Sequence, residues 1–364
     1  VELAGIIQQK IKSEGPISFR DFMEMALYYP GLGYYTSPKE KIGPGGDFYT
    51  SANLTPHFGA MIARQMEEMW QHMGKGKFTI VEYGAGTGLL CHDILDYLHN
   101  RPEFYEQLRY CVVERSPSMR SSERSHLHEK VSWHASIGDL APVTGCIFSN
   151  ELIDNFPVHM VVMDDELREI FVDHSNGFIE ILQPAGDALK NYLAELNIIL
   201  PKGFRTEINL DAVKWMSEIS AALKKGYVMT IDYGYPSSEL YSEHRNGGTL
   251  MCYHKHHLNT DPFQAIGEQD ITAHVNFSAL CHWGLQNGVA CCGITSQANF
   301  LLGLGFKDYF REQENSVGNI LESAKKEAFL THALLIDMGS RFKVLIQQKG
   351  MAYQQLKGLH NLYH

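Results

Sequence analysis

The sequence predicts an α/β chain with a Rossmann-like, mostly parallel sheet carrying helices on both faces. Short continuous apolar runs, FTIVEY (78–83), RYCVVER (109–115), GCIFSN (145–150) and YVMTIDYG (227–234), are separated by longer helical patterns. Runs of that length without two-residue alternation are strands buried on both faces, which is how parallel strands read. The first run opens directly into GAGTG (84–88) and then the helical LLCHDILDYLHN, a strand–glycine turn–helix unit. With 364 residues, 44% hydrophobic and 20% charged, the chain can bury a large core and is not compositionally disordered.

Leu3, Ile6, Ile7 and Ile11 recur at helical spacing, and Gly15-Pro16 ends that helix. Ser18 caps a second one, with Asp21 three positions on and Phe22, Met25 and Ala26 as the apolar face. Residues 30–51 are rich in Gly and Pro yet carry Tyr34, Tyr35, Phe48 and Tyr49, which predicts an ordered functional loop. Thr55-Pro56 opens a helix as N-cap and N1, and Phe58, Met61, Ile62, Met66 and Met69 form its core stripe. Between the second and third apolar runs, SPSMRSSERSHL (116–127) reads as helix. Beyond Pro157 the period changes to alternation in HMVVMD and in REIFVDHSNGFIEIL, whose Asn176-Gly177 marks a β-hairpin insertion. A helix at 210–225 returns the chain to the main sheet at 227–234. Helices near 276–287 and 297–303, a short strand near 289–292 and a last strand, FKVLIQQ (342–348), complete the reading. The divisions expected are a helical cap and covering loop at 1–75, sheet core at 76–157, an inserted subdomain at 158–225 and the remaining core at 226–364.

Lys and Arg number 31 and Asp and Glu 42, a net charge of −11. That balance argues against a nucleic-acid partner and favours a cationic ligand or partner. No apolar run approaches the ~18 to 20 residues of a membrane span. The seven cysteines, odd in number and scattered, read as reduced core thiols in a reducing compartment. CYHKHH (252–257) lacks a second ligand pair at zinc spacing, so no metal is expected and a solvated loop is. The location expected is bacterial cytoplasm, or the mitochondrial matrix if a eukaryotic leader has been trimmed.

Gly84, Gly86 and Gly88 allow a tight turn and close approach to a ligand. Their spacing is not the dinucleotide G-x-G-x-x-G, and no Lys-Ser/Thr follows as in a P-loop. The acid ending the next strand, Glu114, lies 30 positions after Gly84, against ~20 in the NAD fingerprint. These features favour S-adenosyl-L-methionine (SAM), with S-adenosylhomocysteine as product. Glu114 suits the ribose hydroxyls, and Glu82, through its charge, the cationic amino end. The helix following Gly88 suits the carboxylate. Gly138 and Asp139 suit the adenine edge, and Asp47 and Thr50 are polar contacts from the covering loop. The alternative for Glu114 is pairing with Arg115 or Arg120.

Ordered blocks along almost the whole chain carry a resemblance. They are GPISFRDFMEMALYYPGLGYY (15–35), GGDFYTS (45–51) with HFG (57–59), VEYGAGTGLLCHDIL (81–95), NELIDNFPV (150–158), IDYGY (231–235), GGTLMCYHKH (247–256), DITAHVNF (270–277) and TSQANFLLGLG (295–305). The sequence resembles the MidA family of SAM-dependent methyltransferases, which includes the mitochondrial complex I assembly factor that methylates arginine. The resemblance implies a class I methyltransferase sheet of seven strands, an N-terminal helical cap and an inserted subdomain. It also implies protein arginine as substrate, in a respiratory complex I type subunit, and leaves room for a homodimer. GAGTG stands where many members have a GPGxG-like loop.

An arginine acceptor has a delocalised, protonated guanidinium, so carboxylates are needed to grip it and help remove a proton. Asn150, Glu151 and Asp154 lie just beyond a strand's carboxyl end, where doubly wound sheets bind ligands. Asn150 is assigned to the cofactor, Glu151 and Asp154 to the substrate clamp. A helical turn there would place both acids on one face at i, i+3, although such acids also serve as helix N-terminal residues. His274 is the candidate imidazole, with a core or capping role as the alternative, and Asp232 could line the same crevice. Competing functions are a nucleotide-dependent oxidoreductase, a SAM-binding assembly scaffold without turnover, and a small-molecule methyltransferase.

Overall fold

Seven strands of the main sheet are β1 (Phe78–Tyr83), β2 (Leu108–Val113), β3 (Val131–His134), β4 (Val143–Asn150), β5 (Leu223–Tyr235), β6 (Ala290–Ser296) and β7 (Phe342–Lys349). The four apolar runs are β1, β2, β4 and β5, and the two later predicted strands are β6 and β7, whereas the short, half-buried β3 has no counterpart in the sequence reading. The seven lie in the order β6-β7-β5-β4-β1-β2-β3. All neighbouring pairs from β5 to β3 are parallel, while β7 runs against both β5 and β6. Both faces are covered, because alternate residues of the central strands are equally buried: Ile80, Phe148 and Met229 on one face, Val81, Ile147 and Val228 on the other. That is why these segments read as continuous apolar runs.

The structure, a computed structural model, describes residues 2–37, 51–114, 130–254, 257–314 and 320–360. The helix predicted at 116–127 lies outside the described residues, as do Asp47 and Thr50. Two compact units divide the chain. The sheet unit holds Tyr49–Leu152, Ser217–Tyr233 and Gly284–His364, and the second unit holds Val1–Phe48, Ile153–Met216 and Gly234–Trp283. By compact contacts the helix at 56–72 groups with the sheet unit and residues 234–283 group with the second unit.

In the sheet unit, helix Pro56–His72 starts where expected, with Thr55 Oγ1 accepting from the His57 amide at 3.3 Å. Phe58, Met61, Ile62, Met66 and Met69 are fully buried in one cluster with Phe78, Ile80, Tyr110 and Phe148. Each such side chain contributes roughly 1.5–3 kcal/mol of burial, so the Met stripe is core. Among the described residues, no helix is long and apolar enough to cross a membrane.

The second unit begins with helix Leu3–Glu14, which buries Leu3, Ile7 and Ile11 and ends at Gly15, whose φ is 88°. Ser18 caps helix Phe19–Tyr28, its hydroxyl accepting from the Asp21 amide at 3.1 Å. The predicted hairpin is present as Leu167–His174 and Phe178–Pro184 and pairs with Ile17–Ser18 and His159–Met163, the latter continuing to Arg205–Ile208. The solvated loop expected at 252–257 is corrected: Met251–His254 is the central strand of a small sheet with His257–Asn259 and Asp270–Thr272, and Cys252 is fully buried. Burial of Cys252 against Ile271 and Ala273 outweighs the polarity of the histidines around it.

Candidate functional site

The parallel strands of the sheet unit all end at one edge, and the candidate residues follow those ends. Tyr83, Val113 and His134 are in register across β1, β2 and β3. Beyond β1, Gly84, Gly86 and Gly88 take φ values of 64°, 60° and 75°, the left-handed region that disfavours side chains. The Gly84 amide donates to Val113 O at 3.1 Å, tying the turn to β2, and Gly88 leads directly into helix Leu89–His99. The amides and dipole at that helix start favour an anion. Glu114 stands immediately past β2, half-buried, with its own amide donating to His134 O at 3.1 Å. At 136–139 the Ser136 hydroxyl accepts from the Gly138 amide at 3.1 Å, and an Asp139 carboxylate oxygen accepts from the Ser136 amide at 3.3 Å. Gly138 and Asp139 thus form an exposed turn whose shape the aspartate itself holds.

Glu82 differs from the charged role expected for it. Its side chain points into the core and accepts from the Tyr110 hydroxyl at 2.6 Å. Burial raises its pKa to about 7, against the smaller lowering by that hydrogen bond. It is then a group that holds its proton through most of the acid range, set under the glycine turn.

After β4 the backbone turns sharply. Glu151 has φ 51°, a left-handed conformation rare for a residue with a side chain. Its amide donates to Ile231 O at 2.9 Å, and its carboxylate accepts from the Ser51 amide at 3.1 Å and Asn150 Nδ2 at 3.2 Å. Asn150 Oδ1 is buried and takes no hydrogen bond among the described residues. The 3-10 turn starts at Ile153, so the helical turn that would place Glu151 and Asp154 on one face is absent; the left-handed Glu151 precludes it. Asp232, in the last third of β5 and fully buried, accepts from the Leu152 and Tyr233 amides at 3.2 and 3.0 Å.

Asp154 and His274 belong to the second unit, which joins their backbones: the Ala273 amide donates to Asp154 O at 2.9 Å. Asp154 is buried and accepts from Asn155 Nδ2 at 2.9 Å. The Tyr35 hydroxyl lies 2.6 Å from Asn155 Oδ1 and 2.9 Å from Asp270 Oδ1, while Tyr28, stacked on Tyr35, donates to Asn155 O at 3.1 Å. The His274 amide donates to Thr249 Oγ1 at 3.0 Å. Burial, with a smaller contribution from Arg245, lowers the His274 pKa to about 4, so its imidazole is neutral at pH 7. Glu207, buried, accepts from the Thr249 amide and hydroxyl and the Leu250 amide within 3.1 Å. Sequence reasoning missed Tyr35, Asn155, Asp270 and Glu207. The first three stand inside the quoted blocks, but their pairing spans more than 100 residues, and Glu207 lies in none of the blocks.

Residues 61–295 match a family of S-adenosyl-L-methionine-dependent methyltransferases. A crystal structure of a COG1565 superfamily member from Burkholderia thailandensis, bound to S-adenosyl-homocysteine, superposes with a TM-score of 0.87 at 31% identity, covering 98% of this chain and 94% of that one. The protein arginine methyltransferase NDUFAF7 homolog of Drosophila melanogaster, a mitochondrial protein, is 26% identical over 387 residues, 96% of this chain and 85% of the relative. The Mus musculus protein arginine methyltransferase NDUFAF7 is likewise 26% identical, over 92% of this chain and 82% of its own length.

Proposed function

Because the chain belongs to the family of S-adenosyl-L-methionine-dependent methyltransferases, we propose that it transfers a methyl group from SAM to an arginine side chain of a protein. The observation that carries the arginine reading is the likeness to relatives named protein arginine methyltransferases over more than nine-tenths of the chain, second unit included. Charge supports it. The second unit's stretches hold 22 acidic and 12 basic residues and the sheet unit's 20 and 19, so nearly all of the net −11 falls on the former. An acidic unit favours encounter with a cationic acceptor. The acceptor protein proposed from the resemblance is a respiratory complex I type subunit.

The residues at the sheet edge fit the cofactor. Three left-handed glycines remove side chains from a strand–helix turn, and the orphaned Asn150 Oδ1 is an acceptor suited to an ammonium. Glu114 is assigned the ribose hydroxyls, Gly84, Gly86, Gly88 and the following helix start the methionine carboxylate, and Gly138 and Asp139 the adenine edge. Glu82 supports the turn from beneath, and Asp47 and Thr50 are retained as covering-loop contacts. Bound SAM supplies an electrophilic methyl on a sulfonium. The chain's task is alignment for in-line attack and removal of one guanidinium proton. Acceptor-side roles are proposed residue by residue for Glu151, Asp154 and His274, the two carboxylates tested by Glu151→Gln and Asp154→Asn. A neutral His274 orients the guanidinium by hydrogen bonding, and a carboxylate carries the proton away.

The test is incubation of the protein with SAM labelled in the methyl group and a cell lysate, followed by amino-acid analysis of labelled proteins. Methylarginine that disappears with Glu151→Gln or Asp154→Asn supports the proposal. Label found only in small molecules replaces it with a small-molecule methyltransferase. Binding of S-adenosylhomocysteine without any transfer replaces it with an assembly scaffold.

A further inference from the structure

We infer that Asp232 is a positioning residue for the cofactor loop, acting through Leu152 on Gly84. This rests on the reading that Gly84–Gly88 binds SAM. Leu152 follows the strained Glu151, and its side chain lies directly over Gly84: a Cβ built there would come within 2.7 Å of Leu152 Cδ1. What fixes Leu152 is its amide, which donates at 3.2 Å to Oδ2 of Asp232 in the last third of β5. The other carboxylate oxygen accepts from the Tyr233 amide at 3.0 Å, which sets the carboxyl plane, and the Glu151 amide on Ile231 O closes the same turn from the preceding residue. Asp232 is fully buried, so solvent cannot substitute for it as an acceptor. A left-handed residue between two backbone anchors persists only where its surroundings over-determine it. Here the outcome is a leucine wedge that sets how far the glycine turn can rise, since Gly84 offers no side chain of its own to resist displacement. Asp232 therefore touches no ligand and governs one all the same.

The experiment is titration calorimetry of the full chain with S-adenosylhomocysteine. Asp232→Ala is expected to weaken binding about tenfold, the scale of a lost hydrogen bond to a charged group. Asp232→Asn keeps a carbonyl acceptor for Leu152 and is expected to bind within about threefold of the unaltered protein. Leu152→Ala is expected to lose as much as Asp232→Ala, and the double variant no more than either, because residues acting through one contact are not additive. Additive losses, or unaltered affinity in Asp232→Ala, overturn the inference. If Asp232→Ala does not fold, Leu152→Ala carries the test: an affinity loss of about tenfold at an unchanged thermal midpoint supports the inference, and unaltered affinity overturns it. Failure of the unaltered protein to bind S-adenosylhomocysteine overturns the cofactor reading itself, and this inference with it. A merely structural Asp232 would lower the thermal midpoint in step with affinity, whereas a positioning role lets affinity fall ahead of it.

Discussion

Glu82→Gln isolates a titration that the fold imposes on one buried acid. In the folded chain Glu82 keeps its proton up to about 7, because burial disfavours the carboxylate, while the unfolded side chain loses it near 4.5. Between those values the folded state binds one proton more than the unfolded state, so stability falls as pH rises through that window and is level above it. The gap, at about 1.4 kcal/mol per pH unit, is worth about 3 kcal/mol. Glutamine keeps the shape and an oxygen that can accept from the Tyr110 hydroxyl, but has no proton to lose. Urea unfolding followed by tryptophan fluorescence, at pH 4.5, 6, 7 and 8, gives the stability of each protein. The variant should gain about 3 kcal/mol on the unaltered protein between pH 4.5 and 8, most of it below pH 7. Any constant cost of burying the amide cancels in that comparison. So do the titrations of Asp93, raised to about 6 by burial, and His274, lowered to about 4, because both proteins contain them. Parallel pH curves would refute the reasoning, since they would mean that Glu82 is ionised in the fold.

Gly86→Val places a branched side chain at φ 60° and is expected to abolish S-adenosylhomocysteine binding in calorimetry; retained affinity would remove the turn from the site. Glu114→Ala should weaken the same binding by about 1.5–3 kcal/mol, roughly 10- to 150-fold, through loss of charged hydrogen bonds. Gly248→Ala addresses stability: at φ 86° its Cβ would overlap the Glu207 carboxylate that takes the Thr249 and Leu250 amides. Left-handed strain and a disturbed buried carboxylate together should cost about 3 kcal/mol, read as a lowered thermal midpoint. An unchanged midpoint would mean that this turn relaxes freely.

Much of the sheet was legible because its signals are local. FTIVEY runs into GAGTG within eleven residues, and burial on both faces writes itself as a continuous apolar stretch. Caps were legible for the same reason: Ser18 and Thr55 each meet an amide two or three residues away. The strands at 251–254 and 257–259 were not, because a histidine-rich hairpin reads as polar, and its inner strand is buried only by pairing with a third strand at 270–272, distant in sequence. Of the candidate site, Glu114 and the glycines could be named from spacing and strand ends. The protonation of Glu82 could not, since desolvation depends on Tyr110 and the helices packed over it.

By itself the sequence determined the four apolar strands, the β-hairpin and the capped helices, the glycine turn, the family and hence the cofactor class, all written in short motifs and periodicities. Only the tertiary structure decided the rest. It grouped residues 1–48 with 153–216 and 234–283, and it turned Glu151 left-handed instead of helical. It also set the Asp232 carboxylate on the Leu152 amide across 80 positions of chain. Those outcomes depend on which surfaces exclude water together, and no residue's neighbours in sequence specify that.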